Sequence, residues 1–323
     1  MPMDEIGRLI DLRLKTIPDP FGVRASTAAV VKGTQLVTIN LDHLENLAKT
    51  LKLAIKQKKL LASDQFGQIK VSPQKIFLLD SINFCFWSAK GKPQWQIKDP
   101  KGIVYSGWKA LVASFDRALS LNLPLLDADW LKQLTLAQAR EIFRGLNNTD
   151  IPLLKKRHQF LRQAGGILAK NFGGKIDNLI IKAKGDAPML TKIIIKHFPY
   201  FKDKMFHKRA QIFTYDLSLL PGRPPLSGLD QLTIFADYRL PQWLRDQQVL
   251  VYQQGLAQKV DRKQLIASGS QEEVSIRAST VWAGELLAQK LNLAPALIDN
   301  TLWFLAKEKP AKNSHHRTLT TAY

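Results

Sequence analysis

The chain has 323 residues, of which 45% are hydrophobic, and its 47 Lys and Arg residues against 27 Asp and Glu residues give a formal net charge of +20. This composition supports a substantial buried core and favours anionic partners. The single cysteine, Cys85, excludes an internal disulfide, and no long apolar run predicts a membrane partner or a secretory leader, so a soluble protein of the reducing cytoplasm is expected.

Helical periodicity dominates the chain from the N-terminal part onward. Apolar residues recur at three- and four-residue spacing, as in helices with one buried face. Asn40 is a candidate cap for the first of these helices, and Thr135 opens another with a capping-box pattern. The predicted helices are 40–55, 135–145, 150–174, 188–199, 205–217, 275–291 and 295–307.

Strand signal is confined to one predicted hairpin near residues 94–106, with a turn at Asp99–Gly102. We expect this hairpin to lie over the first helices. The linker Pro221–Pro225 is too short to separate two domains. The expected fold class is therefore mainly α: a single compact helical domain over 1–323, with a small β-hairpin and a C-terminal tail at 308–323. The helical folds of DNA glycosylases are one arrangement that fits this description.

The segment Phe235–Gln242 concentrates candidate catalytic groups. Asp237 lies between the aromatic residues Phe235 and Tyr238, and Arg239 follows. A carboxylate in a partly apolar setting is weakly screened, so it stabilises a developing positive charge. The alternative interpretation is structural, because an Asp shortly before a Leu-Pro pair is often a turn or helix-entry residue.

Several other blocks accompany this segment in order. They are Asp80–Trp87, Tyr105–Gly107, Ile151–Leu154 with Arg157 and His158, Lys208–Ile212 with Asp216, Glu273–Arg277 with Trp282, Leu302 with Trp303, and His316 and Arg317 with Tyr323. The ordered set resembles the queuosine salvage protein family from about Ser26 to the last residue. Members of that family are hydrolases that cleave the N-glycosidic bond of queuosine 5'-phosphate and release queuine. The resemblance implies this activity here, with a small nucleotide as substrate and no cofactor.

The resemblance also suggests roles for individual residues. Asp237 would be the catalytic residue, acting as nucleophile or as electrostatic partner of an oxocarbenium-like sugar. Lys208 and Asp216 are eight residues apart and share one face of the predicted 205–217 helix. Lys208 suits the phosphate of the substrate, and Asp216 could orient it. The alternative for both is a ladder of charges on the protein surface.

The candidate residue for recognition of the base lies on the last predicted helix. Asp299 interrupts an apolar pattern, where a buried carboxylate needs partners, and the guanine-like edge of queuine offers two donors. An exposed position opposite the core is the alternative. Phe235 and Tyr238 could stack on the base or simply belong to the core. Arg239 and Asn300 complete the predicted substrate-binding set.

The chain departs from the family pattern at three places. Lys58–Asp64 stands where many relatives carry a Trp and a His that help to cover the base. Phe304 replaces a residue that is often acidic, and Leu319 replaces an arginine. One wall of the base pocket is therefore expected to differ, and the preferred base could be a precursor or a related deazapurine.

The competing function is a basic helical module that binds RNA or DNA without catalysis, through the net charge of +20 and exposed aromatic residues. However, the lysines are scattered in short runs, as is typical of solvated helix surfaces. Leu219–Gly222 resembles the hairpin of helix-hairpin-helix DNA glycosylases, but Arg223 and Pro224 stand where a second glycine is expected. The adjacent His315 and His316 lack companion ligands, so no metal site is predicted.

Overall fold

The computed structural model describes residues 2–56, 65–67, 69–308 and 310–323. Most of these residues are helical, which confirms the mainly α class. The helices are α1 (Pro2–Thr16), α2 (Val23–Gly33), α3 (Leu41–Lys56), α4 (Pro73–Ser81), α5 (Gly107–Ser120), α6 (Ala128–Lys132), α7 (Leu136–Phe143), α8 (Leu154–Phe172), α9 (Asp177–Ile180), α10 (Ala187–His197), α11 (Lys208–Ser218), α12 (Arg239–Asp246), α13 (Gln254–Asp261), α14 (Gln271–Leu291) and α15 (Pro295–Glu308). The strands are β1 (Val37–Ile39), β2 (Gln96–Lys98), β3 (Val104–Ser106) and β4 (Leu250–Tyr252). None of the described helices combines the length and apolar composition needed to cross a bilayer.

Local capping chemistry explains where several helices begin. The Oδ1 atom of Asn40 accepts a hydrogen bond from the backbone N–H of His43 at the start of α3, as predicted. At α7, Thr135 and Gln138 form the predicted reciprocal capping box. The helix α14 begins earlier than predicted because the Ser270 hydroxyl accepts a hydrogen bond inside its first turn. These starts are encoded within a few residues of each helix.

Two predicted helix starts are wrong for a backbone reason. The prediction began α8 at Asp150, but Leu153 adopts the left-handed conformation with φ 55° and the helix begins only after it. The prediction began α11 at Met205, but His207 has φ 49° and the helix begins at Lys208. Lys208 therefore lies in the first turn, where backbone N–H groups are unsatisfied by the helix itself.

The two sheets are small and antiparallel. The predicted hairpin is confirmed, because β2 pairs with β3 and Ile97 lies opposite Tyr105. It packs on α5 and not over the first helices, so that part of the prediction is wrong. The pairing of β1 with β4 was not predicted, since Thr38 and its partner Val251 lie far apart in the sequence.

Two large apolar clusters form the core of the described residues. One is built mainly from α4 to α11, and the other from α1 to α3 and α12 to α15. A small third cluster containing Tyr215 and Phe235 lies where α11 approaches the segment before α12. The backbone N–H of Cys85 also donates to the carbonyl of Tyr323, which ties the tail to the first cluster. That the whole chain is one domain stays a prediction.

The helix α14 runs through the second cluster and positions the segment that carries Asp237. Gly284 allows Ile234 to pack directly on the helix, since a Cβ at this position would lie 2.2 Å from Ile234 Cγ1. Arg277 is buried, pairs with Asp203 and donates from Nε to the carbonyl of Ala236 at 3.0 Å. The backbone on the N-terminal side of Asp237 is therefore held by packing and by a charged hydrogen bond.

Candidate active site

A cavity opens between α5, α11 and the segment after α4 on one side and α12 and α15 on the other. Its empty volume, including the part open to solvent, is about 530 Å³. The polar lining consists of three carboxylates, three amides and one ammonium group: Asp216, Asp237, Asp299, Gln65, Asn83, Asn300 and Lys208. The aromatic lining consists of Trp108, Tyr215, Phe235 and Trp303.

One face of α11 forms the floor of this cavity. Lys208, Ile212 and Asp216 are four residues apart and all three line it, as the predicted spacing requires. Lys208 is 3% exposed and Asp216 is 2% exposed, so the alternative of a surface charge ladder is wrong. The side-chain amide of Gln65 donates to Asp216 Oδ1 at 3.2 Å. Tertiary folding thus brings α11 against the segment around Asp237.

Asp237 is a helix-entry residue, as one of the two alternatives has it, and it also lines the cavity. Its Oδ1 atom accepts hydrogen bonds from the backbone N–H groups of Arg239 at 2.7 Å and Leu240 at 3.1 Å, so it caps the start of α12. The same half-buried side chain lines the cavity. No hydrogen bond to its Oδ2 atom is formed within the described part of the chain. A helix cap therefore fixes this carboxylate while one oxygen remains for a ligand.

Lys208 lies among carboxylates. Burial lowers the pKa of its ammonium group, while the negative charges of Asp237, Asp80 and Asp299 act in the opposite direction. Asp216 also faces Lys208. Lys208 thus lies close to four carboxyl groups, of which Asp80 is also close to the charge of Arg209. Four ionised carboxylates here would still outnumber the two cations and leave a surplus of buried negative charge.

Protonation relieves this surplus. Burial raises the pKa of Asp80 to about 8, and burial likewise raises the pKa of Asp299 to about 8. The pKa of Asp216 is also raised well above its ordinary value, first by burial and then by the charge of Asp80. The backbone N–H of Phe235 donates to Asp299 Oδ2 at 2.8 Å, which acts against the rise at that residue. These three carboxyl groups therefore hold their protons to higher pH than ordinary carboxyl groups do.

A model of the family described as queuosine salvage protein matches residues 68–323. A protein of Sphaerobacter thermophilus named queuosine 5'-phosphate N-glycosylase/hydrolase is 36% identical over 94% of this chain and 98% of its own. Proteins of the same name from Nematostella vectensis and Mus musculus are 33% and 32% identical, over 79% and 72% of this chain and 82% and 75% of their own. The chain belongs to the queuosine salvage protein family.

Two residues of the predicted substrate-binding set, Tyr238 and Arg239, do not line the cavity. The ring of Tyr238 is buried with its centroid 4.8 Å from that of His315, and burial raises the pKa of its hydroxyl. Arg239 donates from Nη1 to the side-chain oxygen of Gln242 at 2.7 Å. Tyr238 is therefore not placed to stack on a base in the cavity. Phe235 lines the cavity instead, with its ring centroid 5.9 Å from that of Tyr215.

Sequence reasoning missed several functional candidates. Trp108 and Trp303 form aromatic walls, and the Trp108 indole N–H donates to the carbonyl of Gln65 at 3.0 Å. Asp80 belongs to one of the ordered blocks, but the sequence alone assigns it no role. The sequence does single out Asp80 as the one acidic residue in the apolar stretch of α4. In the structure this residue is fully buried, where a carboxyl group needs partners. Asn83, two residues beyond α4, completes the polar lining.

The three departures from the family pattern have different outcomes. Lys58–Asp64 lies outside the described residues. Phe304 packs edge-on against Trp303, with ring centroids 5.2 Å apart. Leu319 is 59% exposed and borders a separate surface groove. Of the three departures, Phe304 is thus the one that touches a described wall of the cavity.

The raised carboxylate pKa values predict a dependence of stability on pH. A folded state that keeps a proton on Asp80 up to about pH 8 loses stability as the pH rises from the ordinary carboxyl pKa toward that value. The loss amounts to about 1.4 kcal/mol for each pH unit in this window. Asp80→Asn removes this titration, so its melting temperature should fall less between pH 5 and pH 8.5 than that of the wild type. An equal fall in both proteins, with the exposed Asp129→Asn as control, would contradict the assignment.

Proposed function

We propose that this protein hydrolyses the N-glycosidic bond of queuosine 5'-phosphate and releases queuine. The observation that carries the proposal is the convergence of Asp237, Lys208 and Asp299 with aromatic walls in one cavity. The names and the coverage of the relatives support the same activity.

The reaction replaces one bond at the anomeric carbon of the ribose. The C1'–N bond breaks and its electron pair leaves with the base, while the oxygen of a water bonds to C1'. One proton from this water is finally carried by the released queuine, and the other product is ribose 5-phosphate. Positive charge develops on the sugar in between, so a fixed carboxylate close to C1' lowers the barrier.

Asp237 is our candidate for that carboxylate, either as nucleophile or as electrostatic partner. The two backbone N–H groups that bind its Oδ1 hold the side chain in place without involving Oδ2. Such preorganisation means that little reorganisation is needed when the charge develops. A chemical trap for a covalent sugar adduct separates the two roles.

Asp299 is our candidate for recognition of the base. Its Oδ2 is taken by the N–H of Phe235, and no hydrogen bond to its Oδ1 is formed within the described residues. The ring N–H and exocyclic amine of queuine would stabilise the ionised carboxylate, so binding would release the proton that burial retains there. Because the base lacks a purine N7, the negative charge that it carries as it leaves must be stabilised at another atom. A protonated carboxyl group of the site could donate a hydrogen bond or a proton there.

Lys208 is better placed to act at the reaction centre than to bind the phosphate of the substrate. The charge of Asp237 acts on the Lys208 ammonium more strongly than that of any other carboxylate, so a phosphate bound to Lys208 would lie close to the carboxylate proposed to act on the sugar. We therefore propose that Lys208 balances the charge of the carboxylates that act on sugar and base. Asp216, held by Gln65, and Asn300 complete the polar surface around the substrate.

A single-domain, cytoplasmic enzyme is consistent with this role. Cys85 is buried and burial raises the pKa of its thiol to about 11, so it is expected to be inert. With a single cysteine, the chain has no internal disulfide that a reducing compartment could break. We propose this location together with the activity.

The deciding experiment measures release of free base from queuosine 5'-phosphate, queuosine and guanosine 5'-phosphate, over a series of salt concentrations. We expect queuine from the first substrate, with a weak dependence on salt. No release from any of them, together with RNA binding that weakens steeply with salt, would establish the nucleic-acid-binding alternative instead.

A further inference from the structure

Two side chains of α12 hold a bend that the chain makes shortly after α15. Asp246 accepts through Oδ2 from the backbone N–H of Lys312 at 2.9 Å, and through Oδ1 from that of Asn313 at 2.8 Å. Gln242 donates from Nε2 to the carbonyl of Asn313 at 2.6 Å. Gln242 and Asp246 are four residues apart, so one face of α12 makes both contacts. We call this contact of Gln242 and Asp246 with Lys312 and Asn313 the clasp.

The side-chain amide of Gln242 is used at both ends. Its Oε1 accepts from Arg239 Nη1 at 2.7 Å, while its Nε2 donates to the carbonyl of Asn313. The residue is only 7% exposed, so water is a poor substitute for either partner. A carboxylate here would keep the contact with Arg239 but would place an oxygen against the Asn313 carbonyl. The position therefore requires one acceptor and one donor.

The clasp acts next to Asp237. The backbone N–H of Arg239, whose side chain Gln242 binds, is one of the two donors that hold Asp237 Oδ1. Tyr238 lies between these two residues in the chain, and its ring packs against that of His315, with centroids 4.8 Å apart. Contacts with the segment after α15 thus hold the first turn of α12, where the candidate catalytic carboxylate is fixed.

The same bend belongs to the chain that leaves the opposite wall of the cavity. The helix α15 carries Asp299, Asn300 and Trp303 in the cavity lining, and α12 packs against α15. The clasp fixes the segment after α15 on α12, and with it the separation between the proposed sugar carboxylate Asp237 and the proposed base ligand Asp299. This separation matters because a small misplacement of reacting groups lowers the rate steeply.

We propose that Gln242 and Asp246 are positioning residues, which hold Asp237 at the correct distance from the base-binding wall on α15. This inference rests on the proposed function and deepens it. Neither side chain lines the cavity, so both act through the clasp and the first turn of α12 and not through the substrate. Loosening the clasp should therefore change the rate of bond cleavage, while the affinity for the free base, which α15 binds, stays as in the wild type.

The first test changes one atom group of Gln242. Gln242→Glu keeps the acceptor for Arg239 and removes the donor to the Asn313 carbonyl. We expect kcat for queuosine 5'-phosphate to fall on the order of tenfold or more. KM and the inhibition by free queuine should stay close to the wild-type values, since uniform binding is not affected.

A second series tests the other half of the clasp. Asp246→Ala removes both acceptors, whereas Asp246→Asn keeps one oxygen and should have a kcat between those of Asp246→Ala and the wild type. The double variant Gln242→Glu/Asp246→Ala should be about as slow as the slower single variant, because both changes open the same contact. A loss equal to the product of the single losses would overturn the common clasp. If Gln242→Glu does not fold, the Asp246 series carries the same comparison of kcat with KM.

The matched control is a bridging glutamine elsewhere. Gln74, at the start of α4, accepts from the backbone N–H of Ile176 at 2.9 Å and donates to the carbonyls of Leu126 and Gly174, both at 3.2 Å. It does not line the cavity. Gln74→Glu makes the same chemical change, so its melting temperature should fall as in Gln242→Glu while its kcat is retained.

The possible failures are distinguishable. An unchanged kcat in both Gln242→Glu and Asp246→Ala, or an equal loss of kcat in Gln74→Glu, overturns the positioning role alone when the wild type releases queuine. Absence of queuine release by the wild type overturns the proposed function, and the positioning role with it.

Discussion

Asp237→Asn should lose hydrolysis of queuosine 5'-phosphate by a factor on the order of a hundred or more, because a preorganised charge facing the sugar is removed. The fold should persist, since the asparagine oxygen can still accept the hydrogen bonds from the N–H groups of Arg239 and Leu240. The measurement is queuine release under single-turnover conditions, together with the melting temperature and the affinity for free queuine. We expect only the rate to change strongly.

The control for this variant is another capping aspartate. Asp186 accepts a hydrogen bond from the N–H of Met189 at the start of α10 and does not line the cavity. Asp186→Asn makes the same chemical change and should keep full activity. Near wild-type turnover in Asp237→Asn would instead move the catalytic role to another carboxylate of the site, with Asp216 as the next candidate.

Lys208→Met is expected to slow the nucleotide and the nucleoside equally, again by about a hundredfold or more. The physical reason is charge balance: without the ammonium, more of the four surrounding carboxylates retain protons, and the site loses the charges that act on sugar and base. The measurement is kcat/KM for both substrates and its dependence on pH. Lys204→Met, an exposed lysine in the preceding turn, is the matched control.

This prediction separates the two roles considered for Lys208. If Lys208→Met slows only the phosphorylated substrate, Lys208 is the phosphate ligand. If both substrates slow equally and the melting temperature is preserved, Lys208 belongs to the reaction centre. A loss of folded protein at all pH values would instead identify it as a structural residue of the floor.

The sequence by itself determined the features whose causes lie within a few residues. The cap of α3 by Asn40, the capping box of α7 and the hairpin turn after Asp99 are local hydrogen-bonding patterns, and all three are present. The shared face of Lys208 and Asp216 also follows from helical spacing. The ordered blocks were sufficient for the family, because each block is short but their order along the chain is specific.

Only the tertiary structure decided which side chains meet in the cavity. Tyr238 and Phe235 look equivalent in the sequence, yet Tyr238 turns toward His315 while Phe235 lines the site. Asp80 and Asp299 acquire raised pKa values because distant segments bury them. Burial, charge balance and cavity shape depend on contacts between residues that are remote in the chain, whereas caps and helical periods depend on neighbours. Local patterns therefore specified some of the helices and the hairpin, and long-range packing decided the chemistry of the site.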